Sequence, residues 1–290
     1  MATYYISTTG DDTTGDGSSS NPWATLQKFL TASTDNDTLI VKNGTYTITE
    51  NIDITQRTIQ AENNGLAIFD GDGSTVAFFL YSDNVLTGMV FQNFYVRLDS
   101  ANGIFASRTT DSSTTYNNCI WRNNRLAQTT GFQRGPIFSG RDSNTCLLYL
   151  NNCVFYGNYL NASNGTKSAY IGGGLSVYMT NNTLVNDNTD GLNIQNVFYS
   201  QSAGGFGEVD IKNSIIYNSS SATLNLIDIT NKILDFTTSY TDYYEITGAY
   251  MTEALASTGV ITSDPLFIDE ANNNYNLSPS SPCIDAGTLI

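Results

Sequence analysis

The sequence predicts an all-β solenoid of stacked parallel strands in a single domain. Three observations predict it. The first is a repeat. "NNCIWRNNRL" at Asn117–Leu126 returns as "NNCVFYGNYL" at Asn151–Leu160. Looser copies, aligned on Cys119 and Cys153, begin at Gly88 (GMVFQN), Thr183 (TLVNDN) and Ser214 (SIIYNS). Successive copies stand roughly thirty residues apart, a period that marks repeat architectures. The second is alternation. "EVDIKN" places Val209, Ile211 and Asn213 on one face and Asp210 and Lys212 on the other, which is strand periodicity and excludes the helical arrays of similar period. The third is composition. Charged residues make up only 13% of the 290, with Asn, Ser, Thr and Gly in their place. Thr, Ile, Val, Tyr and Phe suit a pleated surface, and the strong helix formers do not dominate.

Taken in order, residues 10–21 read as a polar loop. Asn21-Pro22 then reads as a helix start, with Asn as N-cap and Pro at the first helical position. Trp23, Leu26, Phe29 and Leu30 follow at helical spacing, and this short amphipathic helix is the natural cap of the first coil. "DTLIVKNGTYTI" reads as an apolar run, an Asn-Gly turn and an alternating segment. Only "YMTEALAST", Tyr250–Thr258, suggests a further helix. In the repeats, Asn118, Asn152, Asn182 and Asn213 are expected to stack as a ladder, each amide donating to one coil and accepting from the other. Met89, Ile120, Val154, Leu184 and Ile215 are expected to form a buried apolar column beside it. The tail with Phe267, Tyr275 and Leu277 is expected to close the C-terminal end, since both raw ends of a solenoid need covering.

The net charge of -15 argues against nucleic acid or an anionic membrane as a partner. Histidine, the commonest general base and metal ligand, does not occur. The four cysteines form no C-x-x-C pair, so a zinc or redox site has no support. Cys119 and Cys153 would stack in adjacent coils, either as a disulfide or, the preferred reading, as reduced core residues. "MATYYISTTG" has no basic or apolar segment of a secretory signal.

"YYISTTGDD", "NPWATLQKFL" and "DTLIVKNGTYT" together resemble the opening of right-handed parallel β-helix proteins related to pectate lyases. "IFDGDG", Ile68–Gly73, is similar to a turn of their early coils, and "DPLFIDEANNNYNLSPSSPCIDAG", Asp264–Gly287, to their closing segment. The resemblance spans nearly the whole chain. It implies a single-stranded right-handed parallel β-helix with residues 1–35 as loop and capping helix, 36–235 as stacked coils and 236–290 as the final coil and cap. The group holds lyases, hydrolases, epimerases, adhesins and phage tailspikes. It implies acidic polysaccharides as substrates and, for its lyases, a Lys or Arg base, often with calcium held by carboxylates. The motifs matched here are turns and caps, so no catalytic set carries over by residue.

Six of the seven arginines, Arg97, Arg108, Arg122, Arg125, Arg134 and Arg141, fall in one window where only Asp99 and Asp111 oppose them. Arginine matches carboxylated or sulfated sugars bidentately, so these six are candidate glycan ligands. The competing reading pairs them with acids of neighbouring coils. Within the close repeats, Arg122 and Arg125 stand where Tyr156 and Tyr159 stand one coil later, and that exchange is the place to look for function. Asp70 and Asp72 of "FDGDG" read as a turn, or as paired carboxylates on one strand face. Asp11, Asp12 and Asp16 are dense enough for calcium but lack the pattern of a twelve-residue calcium loop with a closing Glu. No other cofactor is expected. The eighteen tyrosines divide between core packing and stacking on sugar faces.

Two functions fit these residues. The first is a non-enzymatic bacteriophage virion or surface component (spike, fibre or decoration) that binds host glycans and partners other virion proteins or itself, as a trimer in tailspikes. Its place would be virion or extracellular. The alternative is a polysaccharide lyase or hydrolase acting on acidic glycans, with Arg122 or Arg125 as base or two carboxylates in a groove.

Overall fold

A computed structural model of the chain describes residues 1–97, 103–128, 137–140, 146–162, 169–187, 194–200, 206–220, 222–229 and 233–289. Short strands of about four residues wind through three faces in turn. Sheet A holds nine strands, from Thr3–Ile6 through Ser113–Asn117 and Cys146–Asn151 to Ile233–Ser239. Sheet B holds eight, from Gly44–Thr47 through Ile120–Arg122 and Val154–Tyr156 to Asp242–Tyr244. Sheet C holds eight, from Ile52–Thr55 to Ile246–Thr247. A short fourth face, sheet D, is built of Tyr95–Arg97, Arg125–Gln128 and Tyr159–Ala162. Every pairing in these four sheets is parallel, for example Ile120 with Val154 and Thr115 with Tyr149. The chain is therefore a parallel β-helix, wound in the right-handed sense that parallel crossovers take. The Asn43-Gly44 turn is one of its corners, since the strands on either side of it belong to sheets A and B.

The interior is a stack of like residues. Phe69, Phe91, Trp121 and Phe155 follow one another up sheet B, with Trp121 and Phe155 at 4.7 Å and nearly coplanar. Phe78 and Phe105 face them from sheet C at 4.9 Å. Each such ring pair adds about 0.5–1.5 kcal/mol beyond the apolar area it buries. Of the residues the repeats suggested, Met89 and Leu184 are buried, while Ile120, Val154 and Ile215 are half-buried on the outer face and Trp121, Phe155 and Ile216, one residue on, point inward in their stead. The shift arises at the corner, where Cys119 and Cys153 turn inward before the strand begins and so reset the alternation.

Left-handed backbone makes these corners. Gly88 (φ 72°), Asn118 (54°), Asn152 (54°), Asn181 (57°) and Asn213 (49°) occupy one column between sheets A and B. Asn is the common side chain that tolerates this region without much cost. Asn152 Nδ2 donates to Asn118 Oδ1 at 2.6 Å, one link of the expected ladder, while the Asn213 amide bonds to Thr288 of the tail. The third asparagine of the column is Asn181 rather than Asn182. The strand register pairs Val154 with Thr183 and places Asn182 level with Cys153, one residue from the sequence alignment. Asn182 is accordingly buried, donating to Leu150 O and accepting from Cys153 N. All four cysteines are free, and burial pushes the Cys153 thiol well above its ordinary range.

The N-terminal cap forms, though not where Asn21-Pro22 placed it. Trp23 bridges to Ile6 as extended chain, and helix α1 spans Leu26–Ala32. Its N-cap is Thr25, whose hydroxyl accepts from Lys28 N and is itself tied to Asp12. At the other end the tail does not close the coil. Helix α2, Met251–Leu255, does so, with Ala254 fully buried and Tyr250 packed on Phe236. The tail, 264–288, instead runs as a strap along the outer face of sheet B. Phe267 packs edge-on against Tyr217, and Thr288 exchanges two hydrogen bonds with Asn213.

Candidate functional site

Strand register fixes what lies on the outside of sheet B. Thr47, Asp70, Gln92, Arg122 and Tyr156 occupy successive rungs of one outward column. They form a continuous polar chain. Gln92 Nε2 donates to Asp70 Oδ2 at 2.6 Å, Arg122 Nε donates to Gln92 Oε1 at 2.8 Å, and Arg122 Nη1 donates to Tyr156 Oη at 3.2 Å. Asn93 adds two further donations to the Asp70 carboxylate. The "FDGDG" segment is the turn one reading expected, with Asp72 at φ 46° and its N–H on Asp70 Oδ1. Asp70 and Asp72 are thereby divided, the first within the polar chain and the second at the rim of a groove.

That groove lies one corner on, over sheet D. The corner is made by Asn93 (φ 56°), Asn123 (55°) and Gly157 (61°). Behind it stand Phe94, Asn124 and Asn158, all buried. Asn124 donates to Phe91 O and Asn158 Oδ1, and Asn158 donates to Trp121 O, so a buried amide ladder sets the angle between sheets B and D. These are the asparagines five residues after each repeat cysteine. On the outer face of sheet D the same rungs carry Tyr95, Arg125 and Tyr159. The Arg125 guanidinium carbon sits 5.1 Å from the Tyr95 ring and 5.8 Å from the Tyr159 ring. Asp72, Asn93, Asn123 and these three side chains line a groove of about 590 Å³. Among the described residues the buried Arg125 Nε has no hydrogen-bond partner, and the cation is flanked by ring faces.

The other candidates separate. Arg108 lies at the end of a sheet C strand, its guanidinium carbon 4.2 Å from the Phe79 ring. Arg97 lies on sheet D level with Ala127. Arg134 and Arg141 fall outside the described residues. The arginine window is thus no single cluster: Arg122 and Arg125 are brought to adjoining faces, and Arg108 faces elsewhere. Asp11, Asp12 and Asp16 each bind backbone N–H groups of their own loop, at Thr13 and Thr14, at Ala24 and Thr25, and at Ser18. The backbone bonds from Thr14 and Thr13 hold the Asp11 carboxyl below the usual carboxylate range, and the Ser18 side chain, then its N–H, does the same for Asp16. No group of three or more acidic or cysteine side chains converges among the described residues.

The strap ends this face. Tyr275 packs at 5.3 Å on Tyr156 and donates to Asp187 Oδ2 at 2.5 Å. Asp187 Oδ1 in turn accepts from Gly157 N. Above this point the outward column continues as Val185, Tyr217 and Tyr244, covered by Phe267 and Leu277. Burial, then the Glu270 carboxylate it donates to, pushes the Tyr217 phenol up. Sequence reasoning found Arg122 and Arg125 and their exchange with Tyr156 and Tyr159, which the structure places in register. It missed Tyr95, Gln92 and Tyr275. For Tyr95 the available signal was its place seven residues after Gly88, against six from Cys119 to Arg125 and from Cys153 to Tyr159; for Tyr275 none existed, because the strap lies outside the repeat.

Among solved structures the chain is similar to a rhamnogalacturonan lyase (16% identity, 84% of this chain and 68% of that one, TM-score 0.43). It is similar to a mannuronic acid specific polysaccharide family 6 lyase from human gut microbiota (11% identity, 86% and 55%, TM-score 0.47). It is also similar to the pectate lyase Pel9A (16% identity, 100% and 92%, TM-score 0.35). The fold is a parallel β-helix. At these identities the likeness is one of winding and not of site, and the chain spans about half the length of the mannuronic-acid-specific lyase. No protein-family model and no curated protein matches the sequence.

Proposed function

We infer that this β-helix binds an acidic polysaccharide along the adjoining outer faces of sheets B and D and cleaves it as a lyase. The observation that carries this reading is Arg125 held between Tyr95 and Tyr159 in an open groove. Aromatic faces beside a guanidinium suit a sugar ring that bears a carboxylate. One corner away, Arg122 and the Tyr156 hydroxyl are hydrogen-bonded and half-buried. In β-elimination the carboxylate of the uronate is neutralised by an Arg, the proton beside that carboxylate leaves with its electron pair forming a carbon–carbon double bond, and the glycosidic bond breaks with a proton passing to the departing oxygen. Arg125 fits the first role, and the Arg122–Tyr156 pair supplies the groups for the proton transfers. The expected part in a virion, or in a trimer, has no observation of this kind behind it.

The test is incubation with polygalacturonate and with alginate, following the absorbance of unsaturated products and, in parallel, reducing ends. The lyase reading expects unsaturated product from the native chain and its loss in Tyr156→Phe. Reducing ends without unsaturation would replace it by hydrolysis. Binding without either product would leave a glycan-binding protein and overturn the catalytic part.

A further inference from the structure

We propose that the C-terminal strap is the end wall of the glycan face, and that Tyr275 limits how many sugar units the protein can engage. The inference rests on the reading of sheets B and D as that face. Three observations lead to it. First, among the described residues the outward column of sheet B is uncovered from Thr47 to Arg122, meets the strap at Tyr156 and is sealed from Val185 onward. Second, the transition is abrupt. Tyr275 leans on Tyr156 with its ring tilted by 51°, one hydrogen bond away from Arg122 in the polar chain. Third, the wall is anchored from several coils at once: Tyr275 to Asp187, Tyr217 to Glu270, and Asn213 to Thr288. A strap fixed at separated points holds its leading ring in place without paying ordering entropy when a ligand arrives.

Geometry sets the length. A polymer lying along the helix axis meets a new rung about every 4.8 Å, a spacing close to one pyranose unit. Four rung spacings separate Thr47 from Tyr156, roughly 19 Å, which accommodates about four sugars. Beyond that point a longer chain meets the Tyr275 ring and the sealed Val185–Tyr217 strip rather than open polar surface. Additional units then find no partner, so they add no affinity. Asp187 strengthens the limit, because a uronate carboxylate advancing past Tyr156 approaches a like charge.

The experiment is equilibrium titration with oligogalacturonates, and in a second series oligomannuronates, from disaccharide to octasaccharide. The native chain is expected to gain affinity with each unit to about the tetrasaccharide and then stay level. Tyr275→Ala, which leaves the Glu270 and Thr288 anchors in place, is expected to move that plateau to longer oligomers. Tyr275→Phe keeps the ring and removes only the Asp187 bond, and is expected to keep the native plateau. Folding of each variant is checked by circular dichroism. If Tyr275→Ala does not fold, the plateau of the native chain and that of Tyr275→Phe decide. A native affinity that keeps rising to the octasaccharide overturns the wall and leaves the glycan face standing. A plateau unchanged in folded Tyr275→Ala does the same. Absence of binding at every length in both series overturns the glycan face itself, and the wall with it.

Discussion

The two halves of sheet B show opposite arrangements of the same register. In the N-terminal half the interior column is aromatic (Phe69, Phe91, Trp121, Phe155) and the exterior column is polar (Asp70, Gln92, Arg122, Tyr156). In the C-terminal half the interior runs Leu184, Ile216 and Tyr243, and further rings stand outside as Tyr217 and Tyr244, met there by Phe267 and Tyr275 of the strap. A position in a stacked coil thus fixes only which way a side chain points. What covers it decides the chemistry: a face left open keeps hydrogen-bonding groups, while a covered face gains apolar area worth about 25 cal/mol per Å² removed from water.

The largest way to sharpen this contrast acts on the interior of the open half. Trp121 is fully buried and in ring contact with Phe91, Tyr116, Phe138 and Phe155. Trp121→Ala is expected to cost about 3–5 kcal/mol, read as a lower denaturant midpoint in chemical unfolding. A loss below about 1 kcal/mol would mean that the aromatic stack is not what holds these coils.

A smaller effect tests the covered half. Asp242 begins its last strand and accepts the Cys283 thiol of the strap, and burial pushes its carboxyl up to about 6. Burial and the neighbouring Asp242 likewise push the Cys283 thiol up to about 12. Below the ordinary carboxyl range Asp242 is protonated folded and unfolded, so it costs nothing. As pH rises toward about 6 the unfolded chain releases the proton while the folded chain retains it, so stability falls across that window and then levels. The Asp242→Asn variant is expected to lack this decline. The check is thermal midpoint against pH for both proteins, taking the difference so that other carboxylates cancel. A flat difference would show that burial does not keep Asp242 protonated.

The winding itself was legible in the sequence, because a repeat that places Cys119 and Cys153 at matching corners must stack like on like. The one-residue error in the buried column was not avoidable from periodicity. A left-handed Asn followed by an inward corner residue breaks the alternation, and only strand pairing reveals the new phase. Asn182 shows the same limit: a shortened coil brings it level with Cys153 rather than Asn152. For the site, the exchange of Arg122 and Arg125 for Tyr156 and Tyr159 pointed to the right place. The strap could not be read, since its partners, such as Asp187 for Tyr275 at a separation of 88 residues, are distant in the chain and share no pattern with it.

The most direct test of the central claim is the affinity of the native chain and of Arg125→Ala for a uronate tetrasaccharide. A charge-assisted hydrogen bond is worth about 1.5–3 kcal/mol, so affinity should fall roughly tenfold to a hundredfold while the thermal midpoint stays within a degree or two, since Arg125 lies on the rim of the fold. Equal affinity in the two proteins would contradict the account.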